Sequence, residues 1–135
     1  MSFDKNLEKY AELAVRVGIN LKEKEGLIIG GDVNTLPLAR LVMKKAYEMG
    51  AKHVEVQLSD DNMSLIRFNS AKDYVFDNFP QWKVDSLEAM YKDNYHHLFI
   101  NSPNPELLKD IDGELVARSQ KSASQAMGPI MKYRM

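Results

Sequence analysis

The sequence predicts an α/β domain of three layers, with a small parallel sheet and helices on both of its faces. Three apolar runs, at residues 26–31, 52–58 and 95–100, have the length of strands, and helical periodicity separates them. Strands that alternate with helices favour a parallel sheet covered by helices. With 135 residues, of which 44% are hydrophobic, the chain can bury one core of ordinary size. We therefore expect one domain over residues 1–135.

The chain opens with a helix and a buried strand. Apolar side chains from Phe3 to Val17 recur at helical spacing, and Gly18 fits the position just past the helix end. The segment Gly26–Gly31 is a continuous apolar run between glycines. Such a run is typical of a strand that is buried on both faces.

A second helix connects this strand to the next one. Asn34 or Thr35 can cap it, and Pro37 lies in the first turn, where a missing amide hydrogen costs little. The run at residues 52–58 follows as a second strand. Residues 26–58 therefore predict a strand-helix-strand unit with parallel strands.

The second half of the chain predicts more helices around a third strand. Tyr95–Ile100 is rich in aromatic and apolar residues, as strands are. Pro80 separates two helical patterns, of which the second covers residues 82–91. Residue types that commonly begin helices stand at three other places, namely Asp60 or Asp61, Asn104, and Asp112.

Composition excludes several classes of protein. Eighteen basic and 19 acidic residues give a net charge of -1, which offers no positive field for nucleic acid or an anionic membrane surface. The absence of cysteine excludes disulfides, thiolate metal sites and a thiol nucleophile. No apolar run approaches the roughly 20 residues of a membrane span, and the first residues lack the pattern of a signal peptide. We therefore expect a cytoplasmic protein with no nucleic-acid or membrane partner.

Polar residues follow the predicted strands at the edge where parallel sheets commonly bind ligands. Carboxyl ends of parallel strands meet at one edge, so these side chains can face a ligand together. Grouped carboxylates can hold a hard cation or attract an amine, whereas the simpler interpretation is a solvated layer of caps and turns. The residues of this edge are Asp32, Asn34, Ser59, Asp60, Asp61, Asn62 and Asn101.

No catalytic or metal-binding motif is complete in this chain. The run Gly30-Gly31-Asp32 lies between a strand and a helix, but it lacks the further glycine or the lysine of phosphate-binding loops. His53 and Glu55 share one face of a strand, yet zinc needs a third protein ligand. His96 and His97 are adjacent in a strand and point to opposite faces. We therefore predict no catalytic residue and no metal ligand here.

The order of elements favours a longer polypeptide. A doubly wound sheet normally continues from helix to strand, but this chain ends after a helix without a fourth strong strand. We expect this chain to be a first domain, with further domains downstream.

Several ordered strings resemble the N-terminal domain of the aminopeptidase T, aminopeptidase S and PepS metallopeptidase family. The resemblance spans almost the whole chain and is carried by non-repetitive strings rather than by one short motif. The strings are Gly31-Asp32-Val33-Asn34-Thr35-Leu36-Pro37-Leu38-Ala39-Arg40, the run from Ala46 to Val54, Ser59-Asp60-Asp61, Phe79-Pro80-Gln81-Trp82, Asn104-Pro105-Glu106-Leu107-Leu108, and Leu115 to Gln120.

The resemblance implies a function for a longer parent protein. By this resemblance, the parent protein is expected to be a cytoplasmic homodimeric exopeptidase. It would release N-terminal amino acids from peptides with the help of two divalent metal ions, zinc or cobalt. Their metal ligands lie in a C-terminal catalytic domain that is absent from these 135 residues. The resemblance thus implies an accessory domain that encloses the active-site cavity, limits peptide access, and has neither metal nor activity by itself. The alternative is a free-standing module that binds a small molecule or a cation through Asp32, Asp60 and Asp61.

Overall fold

The structure, a computed structural model, describes residues 2–100 and 104–134. This part of the chain contains five α-helices and three β-strands: α1 Ser2–Leu13, β1 Gly26–Asp32, α2 Leu36–Glu48, β2 His53–Ser59, α3 Asp61–Ser70, α4 Gln81–Lys92, β3 Tyr95–Ile100 and α5 Gly113–Met127. A π-helical turn and three 3-10 segments complete the helical structure: Ala14–Gly18, Val33–Thr35, Asp73–Asp77 and Gly128–Arg134. The chain divides into a first unit, Met1–Ser59 with Asp93–Ser102, and a second unit, Asp60–Lys92 with Pro103–Met135.

The first unit contains the parallel sheet that the sequence predicts. The strand order is β2-β1-β3, and both neighbours pair with β1 in parallel. Leu27 of β1 lies opposite Val54 of β2 and His96 of β3. The predicted α/β class and all three predicted strands are confirmed.

The apolar core of the first unit lies on one face of this sheet. Leu27 and Ile29 of β1 are fully buried and belong to one cluster with Ala11 of α1 and Val42 of α2. Ile28 points to the opposite face and is fully buried as well. Each such side chain contributes about 1.5–3 kcal/mol by leaving water. Both faces of the central strand are therefore covered, as the three-layer prediction requires.

Gly31 lets the end of β1 approach β3 very closely. Its φ angle is +147°, and a Cβ atom there would lie 1.9 Å from the carbonyl oxygen of Ile100. Side chains rarely adopt this backbone conformation, and the neighbouring atom is backbone that cannot rotate away. The glycine is thus required by the sheet itself.

Two predicted helix starts differ from the structure. Thr35 precedes α2 but makes no side-chain cap, and its hydroxyl donates to the Asp32 carbonyl at 2.6 Å. The Asp32 carboxylate accepts from the Asn34 amide and begins a 3-10 turn before the helix. The helix start predicted at Asn104 is wrong, because separate turns close there, from the Leu107 amide to the Asn104 carbonyl and from the Lys109 amide to the Glu106 carbonyl. The helix start at Asp112 is confirmed, since its carboxylate accepts from the Glu114 amide at 2.9 Å.

The second unit is built around Phe76. This ring is 1% exposed and stacks on Phe68 with the ring centres 5.2 Å apart. The Arg67 guanidinium lies 4.9 Å from the centre of the Phe76 ring. The Ser122 hydroxyl of α5 donates to the Phe76 carbonyl at 2.9 Å, which joins the helix to the 3-10 segment.

Arg118 of α5 joins the same two elements through charge. Its guanidinium donates to Asp73 at 2.9 and 3.0 Å and to Asp77 at 2.8 Å. The hydrogen bonds from Arg118 hold the pKa of the Asp77 carboxyl below its ordinary value. A planar guanidinium suits this arrangement because it presents several donors in a fixed geometry.

Replacing Gly31 should disrupt the sheet. We expect Gly31→Ala to lower the free energy of unfolding by about 3 kcal/mol, because the new methyl group collides with the Ile100 carbonyl. Gly113→Ala is the matched control, since no atom lies within 4 Å of a Cβ at that position. Urea unfolding followed by circular dichroism measures both changes. Equal stability of the two variants would contradict the close approach of Gly31 to β3.

Candidate functional site

Asp32 is the predicted site residue with the most defined surroundings. It is the last residue of β1, it is 8% exposed, and it is the only charged residue buried in the part of the chain that the structure describes. Its Oδ1 accepts from the Asn34 amide at 3.0 Å, and its carbonyl accepts from the Thr35 hydroxyl at 2.6 Å. The Ser59 hydroxyl of β2 donates to the Gly31 carbonyl at 3.1 Å. The carboxylate therefore organises the turn between β1 and α2.

The other predicted residues of this edge lie in different settings. Asn34 is exposed within the 3-10 turn, and its backbone amide donates the hydrogen bond that the Asp32 carboxylate accepts. Asp60 occupies the position before α3 without a side-chain cap, and Asp61 lies in the first turn of that helix, both in the second unit. A carboxylate in a first turn is favoured by the helix dipole. Asn101 lies outside the described residues, and a shared ligand-binding role for the predicted residues of this edge stays a prediction.

The three histidines take separate places in the first unit. The His53 Nδ1 lies 3.0 Å from the Tyr95 hydroxyl, and its Nε2 lies 3.7 Å from the Glu55 Oε1, so the predicted pair shares one face. The His96 Nε2 lies 2.9 Å from the Glu25 Oε1. His97 stacks on Phe99 with ring centres 4.0 Å apart. The prediction that adjacent histidines point to opposite faces is confirmed.

A polar network joins the amino-terminal ends of β2 and β3, and the sequence reasoning missed it. The Lys52 ammonium donates to the Asp93 carbonyl at 2.6 Å and pairs with the Asp93 carboxylate at 3.0 Å. The same ammonium lies 5.3 Å from the centre of the Tyr95 ring, whose hydroxyl contacts His53. The sequence offered one signal for this network, namely the polar residues at the start of both strands. These contacts hold the two strand starts at a fixed separation.

Glu25 receives two hydrogen bonds just before β1. Its Oε1 accepts from the Lys22 amide at 2.8 Å and lies 2.9 Å from the His96 Nε2. Burial raises the pKa of this carboxyl, but the hydrogen bonds from His96 and the Lys22 amide outweigh burial and leave the pKa below its ordinary value. The folded state therefore favours the carboxylate.

Comparison with known proteins identifies the family. A family model described as thermophilic metalloprotease (M29) matches residues 3–135. The chain belongs to this family. The predicted resemblance to aminopeptidases T, S and PepS is therefore confirmed.

Relatives of this M29 chain are named aminopeptidases. Aminopeptidase 2 of Geobacillus stearothermophilus is 38% identical over 125 residues, which are 93% of this chain and 30% of the relative. Aminopeptidase AmpS of Bacillus subtilis is 33% identical over 132 residues, which are 98% of this chain and 32% of the relative. A solved structure of wild-type AmpT from Thermus thermophilus matches with a TM-score of 0.90 and 30% identity, covering 97% of this chain and 33% of that one. The chain thus spans about a third of the length of these relatives.

The M29 family name implies metal ions, and the side-chain donors of the described residues do not fit them. Among residues 2–100 and 104–134, no three side chains of the His, Asp and Glu types come close enough to hold one ion. Two carboxylate or imidazole ligands fall short of the three protein ligands typical of catalytic zinc. Among the helices that the structure describes, none combines the length and the apolar composition that a membrane span requires.

Asp32 should behave as a structural residue. We expect Asp32→Ala to lower the free energy of unfolding by about 1 kcal/mol, because the Asn34 amide loses its acceptor. Asn34→Ala keeps that backbone amide and should change stability by less than about 0.5 kcal/mol. Thermal and urea unfolding measure both. If magnesium raised the melting temperature of the wild type but not of Asp32→Asn, the cation-binding alternative would be favoured instead.

Glu25 should make stability depend on acid pH. Since its folded pKa is lowered, its contribution is present above the unfolded pKa of about 4.3 and is lost as pH falls through the folded value. We expect Glu25→Gln to cost about 1 kcal/mol at neutral pH and to flatten the loss of stability below about pH 4.3. Urea unfolding at a series of pH values measures this. Glu23→Gln is the control, because it removes one charge from the same loop. If it changed the pH dependence of stability as much as Glu25→Gln, the loss of net charge would explain the result.

Proposed function

We propose that this chain is the accessory N-terminal domain of a dimetal aminopeptidase that removes N-terminal amino acids from peptides. The domain encloses the active-site cavity of the parent enzyme, limits which peptides enter, and is inactive alone. The parent enzyme is a cytoplasmic homodimer that uses two zinc or cobalt ions held outside this chain. No catalytic residue is assigned to residues 1–135.

The coverage of the relatives carries this proposal. Between 93 and 98% of this chain aligns with aminopeptidases of which it spans only 30–32%. Two thirds of each relative therefore lie outside the matched region. We place the catalytic residues in that larger part, and this domain then has a supporting role.

The donor chemistry of the chain supports the same division. A dimetal site needs several carboxylate and imidazole ligands around two neighbouring ions. The described residues offer only pairs, such as His53 with Glu55, and the buried Asp32 already accepts the Asn34 amide. Hydrolysis by the parent would therefore depend on ligands from beyond this domain.

Exposed apolar helix faces support an accessory domain that contacts further protein. The first unit exposes Tyr10, Leu13 and Val17 along one side of α1 and the π-helical turn, each by at least 60%. The second unit exposes Met63 by 69% and Ile66 by 61%, three residues apart on α3, a helix that has no buried residue. Apolar faces of this kind commonly mark interaction surfaces. Contact with the catalytic part of the parent would cover them.

The proposal predicts no hydrolysis by residues 1–135. Amino-acid anilides and short peptides should remain intact with this chain even when zinc or cobalt is added. A chain extended through the length of the relatives should cleave them in a metal-dependent manner, because it brings the metal ligands. Release of the anilide chromophore and chromatography of the peptides measure both.

The proposed role in limiting peptide access is tested by a separate measurement, the kinetics of long and short peptides. In the extended chain, Met63→Ala with Ile66→Ala should change the ratio of kcat/KM for long and short peptides more than kcat for an anilide. Glu106→Ala with Lys109→Ala, two exposed charged positions three residues apart in the same unit as Met63 and Ile66, is the control pair. Metal-dependent turnover by residues 1–135 alone would refute the accessory role, whereas an unchanged ratio would refute only the role in access.

A further inference from the structure

A cleft opens beside the contact between α1 and α2 in the first unit. It has a volume of about 240 Å³ and lies where the π-helical turn that follows α1 comes next to the end of α2. π-helical turns are rare and often lie at functional sites, which sets this end of α1 apart from an ordinary helix end. We call this cavity the α1/α2 cleft, and it is lined by Glu12, Arg16, Lys45, Glu48 and Met49.

The lining of the α1/α2 cleft carries two positive and two negative charges. A bare anion in the cleft would face the carboxylates of Glu12 and Glu48. A bare cation would face the charged groups of Arg16 and Lys45, so like charges oppose both kinds of ion. Met49 is the one apolar residue among the five, which is too little for a purely apolar ligand. The lining therefore favours a small ligand that carries both signs of charge.

Two of the lining charges are not used by any other side chain. Neither Lys45 nor Glu48 makes a hydrogen bond or an ion pair with a residue that the structure describes. The two lie three residues apart on α2, so both head groups reach the same side of the helix. On the α1 side of the cleft, the Arg16 Nη2 lies 3.2 Å from the Glu12 Oε1. A guanidinium has five donors, so this exposed pair leaves Arg16 with donors to spare.

The end of α2 favours a cation on the Glu48 side of the cleft. Glu48 is the last residue of α2, and Met49 is its cap residue. The last carbonyl groups of a helix carry a partial negative charge that attracts a cation. An ammonium group of a ligand is therefore stabilised beside Glu48, whereas a carboxylate group is stabilised by Lys45 and Arg16.

We propose that the α1/α2 cleft binds a free α-amino acid with an apolar side chain. Its α-ammonium donates to the Glu48 carboxylate, and its α-carboxylate accepts from Lys45 and Arg16. Its side chain lies against Met49. An α-amino acid carries both charges on one carbon atom, which matches charged residues three positions apart on one helix face. The cleft is smaller than the roughly 300–1,000 Å³ of cavities that hold drug-sized ligands, which agrees with a ligand of this size.

The proposed function supplies this ligand. An enzyme that removes N-terminal amino acids from peptides releases free α-amino acids as its products. The parent enzyme would therefore bind the amino acids that it releases through this domain. That step alone rests on the proposed function, since binding itself needs only the five residues of the cleft.

Titration of the 135-residue chain with L-leucine, followed by nuclear magnetic resonance, tests the site. The methyl signal of Met49 should shift with a dissociation constant of about 1 mM, as suits a ligand of few atoms in an open cleft. Leucinamide lacks the carboxylate and N-acetylleucine lacks the ammonium, so each should bind at least about fivefold more weakly. Leucyl-leucine, whose two charges lie further apart, should be weaker as well. No binding of L-leucine, or equal binding of any of the three other compounds, overturns the proposal.

Charge-removing variants assign the binding to the cleft. Lys45→Gln and Glu48→Gln should each raise the dissociation constant for L-leucine at least about fivefold. Lys44→Gln is the matched control, because it removes a lysine from an exposed position of α2 that does not line the cleft. Unchanged binding by the first two variants, or an equal effect of Lys44→Gln, overturns the proposal. None of these results bears on the aminopeptidase function, whose test is hydrolysis by the extended chain.

Discussion

The pairing of β1 with a parallel strand on each side is the interaction on which the first unit depends. A strand buried on both faces has no access to water, so its amide and carbonyl groups need partners in β2 and β3. Leu27 and Ile29 of this strand hold α1 and α2 on one face. Gly31 brings β1 within contact of the Ile100 carbonyl, and no larger residue could occupy that position without moving a strand.

Charged and polar side chains fasten the loops around these elements rather than forming a reactive centre. Glu25 joins the loop before β1 to His96 of β3, and Asp32 fixes the turn after β1. In the second unit, Arg118 fastens α5 to Asp73 and Asp77. Each carboxylate that these contacts use is committed to a donor of the protein. This is the chemistry of a scaffold, which agrees with an accessory part of an M29 enzyme.

The surfaces of the chain differ in what they can contact. Helix faces such as that of Tyr10, Leu13 and Val17 offer side chains alone, and they suit packing against another folded part. Strand β2 lies at an edge of the sheet, where the Val54 amide donates to the Tyr47 hydroxyl of α2 at 3.0 Å.

The sequence by itself determined the class of fold, the three strands, the helix start at Asp112 and the family, because periodicity, apolar runs and ordered strings are local properties. It also placed His96 and His97 on opposite faces, which follows from strand geometry alone. Only the tertiary structure decided that Asp32 begins the turn after β1, since Thr35, a residue of the right type, makes no cap. The pairing of Glu25 with His96 and the need for glycine at position 31 were likewise decided there. The last two features depend on residues about 70 positions apart in the chain, and no local pattern records which of them will meet when the strands pair.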